Sequence, residues 1–407
     1  MKSHLLISAL SSFIFLFSSA QGQKTISSAQ WQEDVKYFQE QLVKMHKNAF
    51  HRVSKEEFEK DIELLYKDLP SLKDYQIIVR LMQITAKVGD GHTAVHLPSA
   101  FKRYPIRFFW FDEGLCVVAT TEEYKDILGT KLSKIGNLSV EKVSKKLYTI
   151  ISQDENKWYW VSTAVALLNI AEIVGALGLV PDHELASFTF LDSSNKEITR
   201  ELKAMVVDPQ RKWMAVDQPV PLYRQNINSP FSFTYLPDVN AVYLSFKRYE
   251  DMGFNCNNLF KFIDEKKATR LIVDLRYNGG GDFTKGQRFL ISRIKENTTI
   301  NQKGNLFVIT GRMTFSAAMV NSIDFKKQTN AIIVGEPPGE KPNSYSENDE
   351  MKLPHSGLVV SYSTRYYKFL DEDVPAFEPD VRIDPNWKDY KAGRDPVMEW
   401  IISSCKK

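Results

Sequence analysis

The chain has 407 residues, 43% hydrophobic, 12% aromatic and 25% charged, too apolar for a disordered protein and long enough for roughly two to three domains. Its 53 basic and 50 acidic residues leave a net charge of +3, which gives no electrostatic case for nucleic acid or anionic lipid as a partner. Three cysteines, far apart and without a CxxC pair, exclude a disulfide scaffold and argue against a thiolate metal cluster.

Lys2 and His4 precede an apolar run from Leu5 to Phe17, and Ser18 and Ala20 then place small residues two apart. This pattern predicts a secretory signal peptide over residues 1–20. The run is shorter than the roughly 20 residues needed to span a bilayer, and no cysteine follows it closely as a lipid acceptor. The expectation is an exported protein, secreted or periplasmic, with no membrane span after signal cleavage.

Residues 21–100 read as an N-terminal helical region. Trp31, Val35, Phe38, Leu42 and Met45 recur at helical spacing, Ser54 and Glu57 fit a capping box, and Leu81, Ile84 and Val88 form a third stripe that stops at Gly89 and Gly91. Residues 101–206 change texture. Tyr104 to Phe111 and Leu115 to Thr120 flank turn residues, a helical stretch covers about 157–178, and Phe188 to Leu202 reads as a hairpin. The order of strands, glycines and helices suggests a PDZ-like module with a helical insertion, or an α+β spacer without a ligand groove. Residues 207–240, with five prolines, read as a linker strand region. From 241 to 407 the pattern is α/β: Val242 to Phe246 and the near-continuous apolar Leu271 to Leu275 are strands, the latter as expected for a parallel strand buried on both faces.

Three segments carry chemistry. In Asp274-Leu275-Arg276-Tyr277-Asn278-Gly279-Gly280-Gly281 a buried strand runs into three glycines whose amides are unobstructed, able to stabilise an oxyanion or to form a plain turn. In Gly311-Arg312-Met313-Thr314-Phe315-Ser316-Ala317-Ala318 a serine sits between a strand and a helix, as a nucleophile or a helix N-cap. In Gly89-Asp90-Gly91-His92-Thr93 a histidine follows a glycine pair at a helix end, where a loop can present it as a base. His92 and His96 form a poor metal pair, because Thr93 stands where HExxH requires Glu and an intervening strand would separate the rings. No metal and no organic cofactor is called for.

Together these segments resemble the tail-specific, C-terminal processing peptidases and their tricorn-like relatives. The matching pieces, in order, are GDGHT (Gly89 to Thr93), DLRYNGGG (Asp274 to Gly281), ITGRMTFSAA (Ile309 to Ala318), IIVGEPPGEKPN (Ile332 to Asn343) and EPDV (Glu378 to Val381). The match runs from about residue 75 to about 385, and Pro221 to Phe246 resembles a subgroup of exported bacterial members with an atypical PDZ region. The resemblance implies an α/β fold: a crotonase-like ββα superhelical catalytic core with an N-terminal helical bundle and a PDZ-like module. It implies a serine-type endopeptidase acting on polypeptides through an acyl-enzyme, with Ser316 as nucleophile and an oxyanion hole from the amides of Ala317 and of Gly279 or Gly280. In the tricorn-like branch His92 is the base, oriented by an acid near the C-terminus, either Glu372 or Asp373. In the other branch a lysine 25 residues after the serine is the base, and Lys341 stands there. The family lysine normally follows a glycine, whereas Glu340 precedes Lys341 here, and its polar surroundings argue for a charged amine, so His92 is favoured. The alternatives are a non-catalytic hydrophobic-ligand or peptide-binding protein on the same fold, a Ser316–Lys341 dyad peptidase, and a small-molecule esterase.

Overall fold

A computed structural model describes residues 26–216 and 219–406. The expected signal peptide lies outside these residues. No helix among the described residues is long and apolar enough to cross a membrane.

Three helices open the chain: α1 (Ser28–Met45), α2 (Lys55–Asp68) and α3 (Asp74–Val88). Trp31, Val35, Phe38 and Leu42 form the buried stripe of α1. Ser54 caps α2 by accepting from the Glu57 amide, but the Glu57 side chain turns to Lys87 (2.9 Å) instead of closing a capping box. Helix α3 stops at Gly89, whose φ of 117° a side chain would resist. Strand β1 (Ala94–Val95) follows at once.

A seven-stranded sheet comes next: β2 (Ile106–Phe111), β3 (Gly114–Thr120), β4 (Lys131–Ile135), β5 (Leu138–Ser139), β6 (Leu185–Leu191), β7 (Glu197–Lys203) and β8 (Met214–Ala215). Helices α4 (Val140–Tyr148), α5 (Lys157–Leu167) and α6 (Ala171–Ala176) interrupt it between β5 and β6. The inward residues of this sheet share one apolar core with α1–α3. The N-terminal helices and this module are therefore one packed body around the loop that follows α3.

The second body is a six-stranded sheet of β9 (Phe231–Leu236), β10 (Ala241–Phe246), β11 (Arg270–Asp274), β12 (Leu306–Thr310), β13 (Ile332–Gly335) and, later in the chain, β16 (Val381–Arg382). Strands β10 to β13 and β16 run parallel, while β9, from the stretch read as a linker, pairs antiparallel along β10 and forms the sheet edge. The crossovers are α7 (Met252–Lys266), the paired short helices α8 (Phe283–Gly286) and α9 (Ser292–Glu296) joined by a π-helical turn, and α10 (Ala317–Gln328). Successive residues of each strand enter different cores. Val242, Leu244, Leu271, Val273 and Val308 pack towards the crossover helices. Tyr243, Ile272, Phe307 and Ile309 pack towards the C-terminal helix α12 (Pro396–Ser404), which follows α11 (Trp387–Lys391). Burial on both faces explains the continuous apolar reading of β11.

A long hairpin, β14 (Asn343–Lys352) and β15 (Val359–Lys368), joins the two bodies. β15 pairs antiparallel with β1, Ala94 opposite Ser361 and Val95 opposite Val360. This pairing brings the loop after α3 to the carboxyl ends of the parallel strands.

Candidate active site

The site forms where three loops leave neighbouring parallel strands at the same edge, the usual place for ligands in an open α/β sheet. The loop after β11 carries Asn278 to Gly281, the loop after β12 carries Ser316, and the loop after β13 carries Glu340. Backbone and threonine bonds stitch them together. The Phe315 amide donates to the Asn278 carbonyl (3.0 Å), the Thr314 hydroxyl donates to the Leu275 carbonyl (2.8 Å), and the Gly339 amide donates to the Thr314 carbonyl (3.0 Å).

Ser316 occupies the residue before α10, yet its side chain makes no capping bond. Its backbone lies at φ 53° and ψ −125°, a conformation costing a non-glycine residue about 1–3 kcal/mol. This sharp strand-to-helix turn projects the hydroxyl out of the helix, and its Oγ lies 3.0 Å from His92 Nε2. Gly280, at φ 109°, passes so close that a Cβ there would lie 2.6 Å from the Ser316 Cβ, so only glycine fits.

His92 is held from below. Its carbonyl accepts from Ser361 Oγ (2.8 Å) on β15, and its amide donates to Asp90 Oδ1 (3.2 Å). Asp90 also accepts from the Thr93 amide (2.8 Å) and the Ser363 hydroxyl (2.6 Å), and its other oxygen faces His46 Nε2 at 3.0 Å. His46 Nδ1 accepts from the Asn48 amide, which assigns the proton to Nε2 and makes His46 the donor to Asp90. Burial raises the Asp90 pKa, but the bonds from His46 and Ser363 outweigh it and hold the carboxyl below its ordinary range. The Phe315 ring stacks on the His92 ring at 4.8 Å. Burial pushes the His92 pKa down to about 4 against the pull of Asp90, so the ring is neutral at neutral pH and able to accept a proton.

If Nε2 accepts from Ser316, the His92 proton sits on Nδ1. Nδ1 is buried without a hydrogen-bond partner, and Glu340 Oε1 lies 3.7 Å away. Glu340 also accepts from the Ser316 amide and, at 3.4 Å, from the Ser344 hydroxyl. Its side chain is 1% exposed. Burial and the neighbouring Glu155 hold it well above the usual carboxylate range. A second hydroxyl, Ser346 Oγ, lies 3.2 Å from His92 Nε2.

The residues expected from sequence divide clearly in position. His92, Ser316, Gly279, Gly280 and Ala317 come together. The Gly280 amide is engaged by Asn278 Oδ1 (3.0 Å), whereas the Gly279 and Ala317 amides donate to no protein acceptor among the described residues. Glu372 and Asp373 are exposed on the connection after β15, and the carboxylate at His92 belongs to Glu340 instead. Lys341 points its ammonium at Asp154 (3.2 Å), and its side chain is 20% exposed rather than solvated. The sequence signal for Glu340 was its place where a glycine was expected before Lys341. Ser346 and Glu155 had none. No group of three or more His, Cys, Asp or Glu that could hold a metal occurs among the described residues, and His96 faces Glu350 at 3.9 Å. Cys116, Cys256 and Cys405 are all free thiols.

Beside Ser316 opens a cavity of about 320 Å³. Met82, Val95, Ile150, Ile151, Leu167 and Phe315 give it apolar walls, all but Phe315 from the body of α1–α3 and the seven-stranded sheet.

Comparison with known proteins agrees with this geometry. No curated protein sequence matches the chain. Among solved structures, mature CPAF complexed with lactacystin is similar at a TM-score of 0.60 and 12% identity, over 93% of this chain and 98% of that one. Mature CPAF without that compound in its description gives 0.60 and 11%, over 93% and 97%. The tricorn protease is a looser likeness, at 0.43 and 15%, over 93% of this chain and 37% of that one. The CPAF likeness concerns the fold. The sequence model of Peptidase family S41 matches residues 240–385, the segment that holds the glycine turn, Ser316 and Glu340. Residues 240–385 are thus the part of the chain that is similar to peptidase family S41.

Proposed function

We propose that this chain is an exported serine-type endopeptidase that cleaves polypeptides through an acyl-enzyme, with Ser316 as nucleophile, His92 as general base and Glu340 as the acid that orients and balances His92. The observation that carries the reading is the 3.0 Å approach of Ser316 Oγ to a buried, neutral His92 Nε2, with the serine on a strained turn at the start of α10.

In the reaction His92 takes the Ser316 proton as Oγ attacks the carbonyl carbon of the scissile bond. The carbonyl oxygen gains the negative charge and meets the amides of Gly279 and Ala317, aided by the N-terminal dipole of α10. His92 then returns the proton to the leaving amine, and water repeats the sequence to release the acyl group. The Nδ1–Glu340 separation of 3.7 Å must close as the imidazolium forms, a tightening common when a resting site meets its substrate. Lys341 would have to leave Asp154 and lose its charge to act as a base, so the histidine branch is favoured. The apolar cavity suits an apolar substrate side chain next to the scissile bond. Export rests on the charged start, short apolar run and small-residue site in residues 1–20.

The test is profiling with a mixed peptide library, comparing wild type with Ser316→Ala. Cleavage next to Leu, Met or Phe by wild type, absent in a folded variant, is the expected result. Equal cleavage by both would refute the assignment.

A further inference from the structure

The segment Gln153 to Asn156 lies outside the family match, just before α5, and touches both of the loops that must align. On one side the Gln153 amide donates to the Ala86 carbonyl (3.0 Å), the Asp154 amide to the Gly89 carbonyl (3.0 Å), and the Gly91 amide donates to Glu155 Oε1 (2.9 Å). These bonds hold the end of α3 and the loop of His92. On the other side the Lys341 amide donates to Glu155 Oε2 (3.0 Å), the Lys341 ammonium meets Asp154, and Asn156 Nδ2 donates to the Pro338 carbonyl (3.0 Å). These hold the loop of Glu340. One carboxylate thus spans from the residue before His92 to the residue after Glu340, using one oxygen for each. A side chain at Gly91 would crowd this bridge, since a Cβ would lie 3.1 Å from Glu155 Oε1 and 3.0 Å from the Phe315 ring.

We infer that Glu155 is a positioning residue of the peptidase, fixing the base loop against the acid loop with one carboxylate oxygen on each. The inference rests on the proposed roles of His92, Ser316 and Glu340. The charged and titratable groups around Glu155 are Asp90 and His92 from the base loop, Asp154 and Tyr159 from its own segment, and Glu340 and Lys341 from the acid loop. Burial pushes Glu155 up to about 7, opposed by the Lys341 and Gly91 amides and reinforced by Asp90 and Asp154. Two buried carboxylates that repel each other lose their protons as a pair, in two steps. Glu155 gives up its proton first, and its charge then holds back Glu340, which faces His92 and ionises well above the point at which His92 gains its proton. The acid limb of kcat/KM therefore belongs to Glu340. Replacing Glu155 by a neutral side chain removes the charge that opposes ionisation of Glu340, so Glu340 ionises at lower pH and the limb moves down.

The experiment is the pH profile of kcat/KM for wild type, Glu155→Gln and Asn156→Ala, with thermal melts to confirm folding. Glu155→Gln is expected to lower the plateau about 10–100-fold, the cost of slight misalignment, and to move the acid limb down by roughly one unit. Asn156→Ala, which removes a bond to the same loop without removing charge, is expected to lower the plateau and leave the limb in place. A Glu155→Gln profile equal to wild type, or a lower plateau with an unmoved limb, overturns the inference while leaving the peptidase reading intact. Should Glu155→Gln fail to fold, the wild-type limb decides: at or above neutral pH it supports a Glu340 held back by Glu155, near pH 4 it overturns it. A wild type without peptidase activity overturns the proposed function and this inference with it.

Discussion

At the scale of single residues, the site sets a buried, neutral histidine beside a carboxyl that resists ionisation. His92 is stripped of water by Phe315 and by the loop beneath it, which drives its pKa down to about 4. A base protonated only at such acidity is available throughout the neutral range. The carboxylate that faces it is Glu340, and the exposed Glu372 and Asp373 are not near enough to Nδ1 to contribute a contact. Glu340→Gln is expected to lower kcat about 10²–10⁴-fold, the range typical of a group that serves acid–base transfer, with KM little changed. It should also remove the acid limb that Glu340 gives the pH profile, because the ionisable member next to His92 is gone. A double Glu372→Gln, Asp373→Asn variant should retain the wild-type rate. Steady-state kinetics on the two variants checks both statements, and the opposite ranking would return the acid to the C-terminal stretch. Ser316, His92 and the glycine turn were singled out in sequence through a resemblance carried by several ordered segments, each undecided alone. Glu340 was not, because its candidacy rests on its buried approach to His92, a residue far away in the chain.

At the scale of elements, the loop of His92 owes its position to β1, β15 and α1 together. Ser361 and Ser363 of β15 bind the His92 carbonyl and the Asp90 carboxylate, and His46, the residue that ends α1, binds the other Asp90 oxygen. His46→Ala deprives a buried carboxylate of a donor and should cost about 1.5–3 kcal/mol. The Asp90 pKa lies below its ordinary value in the folded chain, so the stabilisation it represents is full above that ordinary value and fades as the pH falls through the folded one. Urea unfolding at pH 7 and at pH 3 checks this: the deficit of His46→Ala should be present at the higher pH and shrink at the lower. The helices α1 to α3 and the strands β10 to β13 follow the periodicities read from sequence, since each buries a stripe or both faces. The hairpin of β14 and β15 escaped that reading. Asn343-Ser344-Tyr345-Ser346-Glu347-Asn348-Asp349-Glu350 is polar and partly exposed, and it is a strand because β15 pairs with it, not because of an apolar alternation. Strand β9 was hidden in the same way, as an edge strand inside a proline-rich stretch.

At the scale of the whole molecule, the reacting groups come from two separately packed bodies. Ser316, the glycine turn and Glu340 belong to the parallel sheet, and His92 belongs to the helical body with the seven-stranded sheet. The apolar cavity beside Ser316 is walled mainly by the helical body, outside the family match. The arginines of the two recognised motifs tie parts of the molecule together: Arg276 bridges Asp274 and Asp395 near the C-terminus, and Arg312 binds Glu336 and donates to the Trp110 carbonyl of the other body. In the proposed reading both bodies supply reacting groups, while the cavity for a substrate side chain belongs mainly to the helical body. The near-balanced charge of the chain accords with substrates recognised by backbone and apolar side chains rather than by a charged field. All of this depends on Ser316 being the activated nucleophile. The direct measurement is mass-spectrometric mapping of the protein after reaction with a fluorophosphonate. A single adduct on Ser316, lost in folded His92→Ala and retained in Lys341→Ala, is the predicted result; no adduct, an adduct on another serine, or labelling that needs Lys341 and not His92 would contradict it.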